Sequence, residues 1–227
     1  MRLRRRDSQA LRASKIGLFA ALYTIASLIP FSVFIGASSV LSLNLVITPV
    51  IAILLTPIEA GSAALIGGLL SLWVAPNQAM FGIGTITLPF VGAVFGSLSF
   101  HKPKIGPVVS WTFLMIVVLL YLAARPGFPY WIAPHLLSIL VSATTIFSSS
   151  TKAKVISSSF NATMCEQAAM LIQAVYVLRL PVIVFITAFP LMLYERLIGT
   201  IGASFLIFGL TKFTSKHFGT NRASAYR

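Results

Sequence analysis

Eight apolar stretches follow one another along a chain of 227 residues, at about 16–35, 40–56, 58–75, 80–100, 108–124, 130–148, 160–178 and 181–211. A helix needs about 20 apolar residues to cross the hydrocarbon of a bilayer, and each stretch comes near that length. In that solvent every backbone amide must be bonded within the protein, so the stretches must be helices. The expected fold is an all-α integral membrane protein, a polytopic helix bundle of six to eight spans, multi-pass in the cell membrane. Six is the count if one hairpin only dips into the bilayer. A single integral membrane domain covers 1–227, because only 9% of the residues are charged against about 25% in soluble domains.

The net charge of +13 would point to nucleic acid in a soluble protein. Its distribution gives another cause. If the stretches alternate across the bilayer from an inner N-terminus, fourteen Lys and Arg fall inside and two, Arg125 and Arg179, outside, with Arg196 within the last stretch. Lysine and arginine mark the cytoplasmic side, so the basic segment 1–15 and the basic tail 212–227 are both expected there. Removing one stretch reverses every later connection and spoils the division. The partner this charge implies is the lipid bilayer, with no nucleic acid. A basic start before Ile16–Ile35 resembles a secretory signal, with Gly36-Ala37-Ser38 as a cleavage site. The run exceeds the 7–15 residues of a signal core, so it reads as a retained first helix.

The second and third stretches fold back across Thr56-Pro57-Ile58, and the hairpin Asn44–Trp73 is the expected organiser of the bundle. Ala60, Ala64 and Gly68 share one face of its second arm, where close backbone approach can hold membrane helices together. Ala13, Gly17 and Ala21 repeat that spacing in the first helix, and Gly92 and Gly96 form a GxxxG. Trp73, Tyr121, Tyr130 and Trp131 are expected at the outer interface, and Trp111 at the inner one. The Ser/Thr-rich segment Ser142–Ser159 reads as a helix end and an inner loop.

No Walker loop, zinc-protease motif or nucleophile elbow is present. The single Cys165 rules out an internal disulfide, and neither a metal nor a cofactor is expected. Ionisable residues inside the membrane point at protein or a water-filled cavity. Glu59 is either such a residue or a helix N-terminal carboxylate favoured by the dipole. Glu166 lies deep in its stretch, with Asn161, Gln167 and Gln173 as nearby amides. Arg196 can pair with Glu166 as structural glue or as part of a ligand site. The outer turn Trp73–Gln78 offers Trp73, Asn77 and Gln78 to a small polar ligand, or is simply a wet loop. His135 lies near the outer mouth, as a structural residue or a ligand contact.

The basic N-terminus, Lys15–Ser27, the hairpin with Pro57, Ala60-Gly61 and Gly67-Gly68, and Glu195-Arg-Leu-Ile-Gly-Thr together resemble the substrate-binding S components of energy-coupling factor transporters. The resemblance covers mainly 15–100, with a weaker echo at 181–211, and the chain adds a pair of stretches at about 108–148 to the family's six helices. It implies a subunit with no catalytic activity that captures a vitamin or similar micronutrient from outside. Such subunits deliver it inward by docking on a transmembrane T component driven by ATPase subunits. It further implies a contact with the T component through Gly17 and Ala21, and a ligand cap at about Gly36–Leu43. On this reading the substrate-binding residues are Trp73, Asn77, Gln78, His135, Glu166 and Gln173. The alternatives are an intramembrane enzyme using Glu166 and Glu195, with His135 as a further member, and a stand-alone secondary transporter.

Overall fold

The computed structural model describes residues 2–29, 42–124 and 128–218, and within them not the side chains of 2–7, Gln78 and 214–218. The segment expected to cap a ligand, Gly36–Leu43, lies outside the described residues except for its last two positions, as do Arg125 and the end of the basic tail. The described residues form eight α-helices: α1 (Arg2–Ser27), α2 (Asn44–Leu54), α3 (Pro57–Val74), α4 (Thr87–His101), α5 (Gly106–Ala124), α6 (Ala133–Phe147), α7 (Thr151–Ile172) and α8 (Val182–Phe218). No strand occurs among them. Five segments, Pro57–Val74, Gly82–His101, Gly106–Ala124, Pro129–Phe147 and Val182–Phe213, are long and apolar enough to cross a membrane, while α2 is apolar but shorter. Large apolar side chains such as Leu119, Leu140 and Phe205 cover the outside of the bundle, as a lipid-facing surface requires and a soluble one rarely tolerates.

The helices alternate in direction. Arg12 meets Glu59 and Ser27 meets Ser71, so α1 and α3 run side by side in parallel. Asn44 bonds Ser27, which turns α2 the other way. Gly61 lies against Val94 and Gly68 against Pro89, so α4 descends beside α3. Ser99 meets Ser110 where α5 starts back, and Trp111 meets Ser142 on the returning α6. Gly199 packs on Leu45 and Gly202 on Val46, so α8 follows the direction of α2. The start of α1, Lys102, Lys104, Lys152, Lys154 and Lys212 therefore gather at one end of the bundle, here called the basic end.

The hairpin forms as expected, and its turn explains Glu59. Its Oε2 accepts the amide of Thr56 at 3.2 Å and the Thr56 hydroxyl at 2.8 Å, and its Oε1 lies 3.5 Å from Arg12 Nε. This is the carboxylate half of a capping box, with Pro57 supplying a fixed φ in the first turn. Small residues then bring α3 against its neighbours: a Cβ on Gly67 would lie 2.9 Å from Tyr23 Cβ of α1.

The centre of the molecule is α7 rather than the hairpin. Every residue from Ser157 to Ala169 is buried, and α7 packs against α2, α4, α5, α6 and α8. Ser142–Ser159, expected as helix end and loop, is mostly helix: only Ser148–Ser150 separate α6 from α7. Ser150 caps α7 and Ser157 donates back to the Ala153 carbonyl at 2.7 Å, which satisfies that hydroxyl without water, whereas the buried hydroxyls of Ser158 and Ser159 have no partner. Asn161 donates to Ser99 at 2.7 Å and Ser110 at 3.0 Å, tying α7 to α4 and α5. The expected aromatic belt divides. Trp73 and Tyr130 are exposed, whereas Tyr121 and Trp131 are core residues, Trp131 packing its ring against Phe185 and Phe189 of α8.

Candidate functional site

At the end opposite the basic end, the helices enclose a cavity of about 270 Å³. Tyr23 of α1, Asn44 of α2 and Ser71 of α3 form one wall. Phe81 and Thr85, from the turns leading into α4, form another. Trp131, Glu166 and Gln167 line the side of α6 and α7, and Phe185, Met192, Glu195 and Arg196 of α8 close the circuit. The lining is mostly apolar with a few converging polar groups, the pattern of a small-molecule site.

The two polar walls differ in whether the protein satisfies them. On the first, Asn44 Nδ2 donates to the Tyr23 hydroxyl at 3.3 Å and to Ser27 at 3.1 Å, and Ser27 meets Ser71 at 2.9 Å. On the second, Glu166 Oε2, Gln167 Oε1, Trp131 Nε1 and Arg196 Nε have no hydrogen-bond partner. These side chains are deeply buried, at 8%, 2%, 4% and 2% exposure. Buried polar groups are normally bonded, because an unmade bond costs about 1–3 kcal/mol. With the equally buried and unpartnered Ser42 hydroxyl, five such atoms around one hollow are complementary to a molecule that occupies it.

Arg196 is oriented by two partners. Its Nη2 lies 3.2 Å from Glu195 Oε2 and its Nη1 donates to the Thr163 carbonyl at 3.2 Å. The guanidinium thus pairs with its chain neighbour, not with Glu166 of α7. Neighbours on a helix point about 100° apart, yet the long arginine side chain curls back to reach the carboxylate.

Of the residues that sequence reading nominated, Glu166 lines the cavity together with Gln167, Glu195 and Arg196, whereas Trp73, Asn77, His135 and Gln173 do not. Trp73 is 86% exposed and Asn77 is exposed, both on the outer surface. The side chain of Gln78 lies outside the described residues. His135 is completely buried one turn beyond Trp131, its Nδ1 3.1 Å from the Trp131 carbonyl, and it stays behind the cavity wall. Gln173 holds the mouth together: its Nε2 donates to the Gly84 carbonyl at 3.0 Å and the Thr87 hydroxyl at 2.7 Å, pinning the turn that carries Thr85. Gly17 and Ala21 are exposed on α1, and nothing lies within 4 Å of a Cβ placed on Gly17. Tyr23, Asn44 and Trp131 were missed as lining residues. Asn44, a lone amide opening an apolar stretch, was the visible signal. Among the described residues no group of three His, Cys, Asp or Glu could hold a metal ion.

The chain is 28% identical over 223 residues to the uncharacterized protein MJ0923 of Methanocaldococcus jannaschii, a match covering 92% of this chain and 73% of the relative. No protein-family model matches the chain. No solved structure gives a significant match.

Proposed function

We propose that the chain is the substrate-binding subunit of a membrane importer of the energy-coupling factor type. On this reading it captures a vitamin or similar micronutrient from outside and delivers it inward, with no catalysis of its own. The observation that carries the proposal is the set of buried, unpartnered polar atoms on Glu166, Gln167, Trp131 and Arg196 around one cavity. The basic end would face the cytoplasm by the positive-inside tendency, which turns the cavity outward in the cell membrane. The exposed Gly17 and Ala21 on α1 would meet the transmembrane T component, whose ATPase partners supply the energy. The test is purification of the full chain in mild detergent, followed by mass spectrometry of what it releases on denaturation. A stoichiometric small molecule, together with co-purifying ATPase subunits, is expected. A chain that carries no ligand and never associates with an ATPase overturns the proposal.

That Glu166 and Glu195 line the same cavity favours a second reading, an intramembrane enzyme with the two carboxylates as acid and base. It requires a released molecule that is chemically altered by the chain, and loss of that conversion in Glu166→Gln.

A further inference from the structure

Resting on the importer reading, we propose that the cavity selects a small ligand with one positive charge on an apolar, planar body, seated with its charged N–H group at Glu166. The ionic inventory of the lining is two carboxylates and one guanidinium: Glu166, Glu195 and Arg196. Glu195 takes the guanidinium at 3.2 Å, and the Thr163 carbonyl takes a further N–H of the same group. Glu166 is left with one oxygen bare, and the adjoining Gln167 Oε1 is bare as well. Two buried acceptors without donors call for a donor from the occupant, and a buried carboxylate calls for a positive one, while the bare N–H groups of Trp131 and Arg196 call for an acceptor elsewhere on the same body. An anionic ligand would add a second unmatched negative charge. A neutral one would leave the first unmatched.

The walls suit such a group. Tyr23, Phe81, Trp131 and Phe185 surround the cavity, and aromatic faces attract cations when water is excluded. The volume of about 270 Å³ lies just under the usual range of about 300–1,000 Å³ for small-molecule sites. That is room for a compact heterocycle and too little for a nucleotide or a lipid.

Benzamidinium, benzamide and benzoate share one shape while the charge goes from plus one through zero to minus one and the polar end from donor-only to acceptor-only, so the series tests whether the site wants a positive donor. Binding of each to the full chain in nanodiscs is measured by calorimetry at neutral pH. Benzamidinium is expected to bind at least about tenfold tighter than benzamide, and benzoate not measurably. Glu166→Gln is expected to erase the difference between the first two. The comparison on the unsubstituted chain stands by itself should that variant fail to fold. Equal binding of benzamidinium and benzamide, a preference for benzoate, or binding of none of the three overturns the assignment. The importer reading is judged separately, by the co-purified molecule and the ATPase partners.

Discussion

Arg196 pairs at 3.2 Å with Glu195, the residue beside it in the chain, although Glu166 lines the same cavity. The pair is almost fully removed from solvent, so its two members depend on each other. Breaking a buried pair from one side leaves an uncompensated charge and costs about 3–5 kcal/mol. Arg196→Met is therefore expected to lower the unfolding free energy by about that amount, read by denaturant unfolding in detergent. Adding Glu195→Gln to it should recover most of the loss, since no bare charge then remains at position 195. A double variant as unstable as the single one would contradict the pairing.

Two glycines should separate folding from assembly. A Cβ on Gly96 would meet Ala162 Cβ at 2.5 Å and Ala52 Cβ at 2.9 Å, whereas Gly17 has nothing within 4 Å. Gly96→Val is expected to cost about 1–3 kcal/mol through overpacking between α4 and α7. Gly17→Val should stay within about 0.5 kcal/mol of the original chain and reduce co-purification with the membrane partner. Thermal unfolding reads the first effect and a pull-down reads the second.

Trp131 offers a cleaner probe of the ligand than any carboxylate. Its indole N–H has no protein partner, while its ring packs against Phe185 and Phe189 with centroids 5.5 and 5.7 Å away. Trp131→Phe keeps the packing and removes the donor. Stability should change by less than about 1.5 kcal/mol. Affinity for the co-purified ligand should fall about fivefold, as expected for one neutral hydrogen bond.

Orientation can be read chemically. In a Cys165→Ala background, Ser8→Cys, Lys104→Cys and Asn77→Cys each place one thiol at an exposed position. A membrane-impermeant maleimide applied to intact cells should label position 77 alone, and positions 8 and 104 only after lysis. Labelling of position 8 or 104 in intact cells would reverse the bundle.

The sequence made the helices legible because apolar length and charge placement are local properties. The hairpin at Thr56 and its capping carboxylate were equally readable, since Thr56, Pro57 and Glu59 act within one turn. The cavity was legible only on the side of α7 and α8, where Glu166, Gln167, Glu195 and Arg196 stand out as polar residues in apolar stretches. Its polar atoms come from five helices, α1, α2, α3, α7 and α8, and from the turns before α4 and α6, and only packing brings Tyr23, Asn44, Trp131 and Arg196 to one hollow. Trp131 and His135 show the difficulty well. Both sit at a stretch boundary and look interfacial in sequence, yet burial against α8 and the helix backbone decides their places. Ser142–Ser159 misled because hydroxyls favour loops in water, whereas those of Ser142, Thr144, Thr145 and Ser157 bond the carbonyls of their own helices.

The polar core of α7 also bears on how the chain can be made. A segment bearing Asn161, Glu166 and Gln167 amid buried serines gains little by entering hydrocarbon unaided. During synthesis six helices emerge from the ribosome before it, among them α2, α4, α5 and α6, which sheathe it in the finished molecule. The order of translation thus provides a protein-lined berth for α7 before it leaves the insertion machinery, with α8 arriving last to seal it.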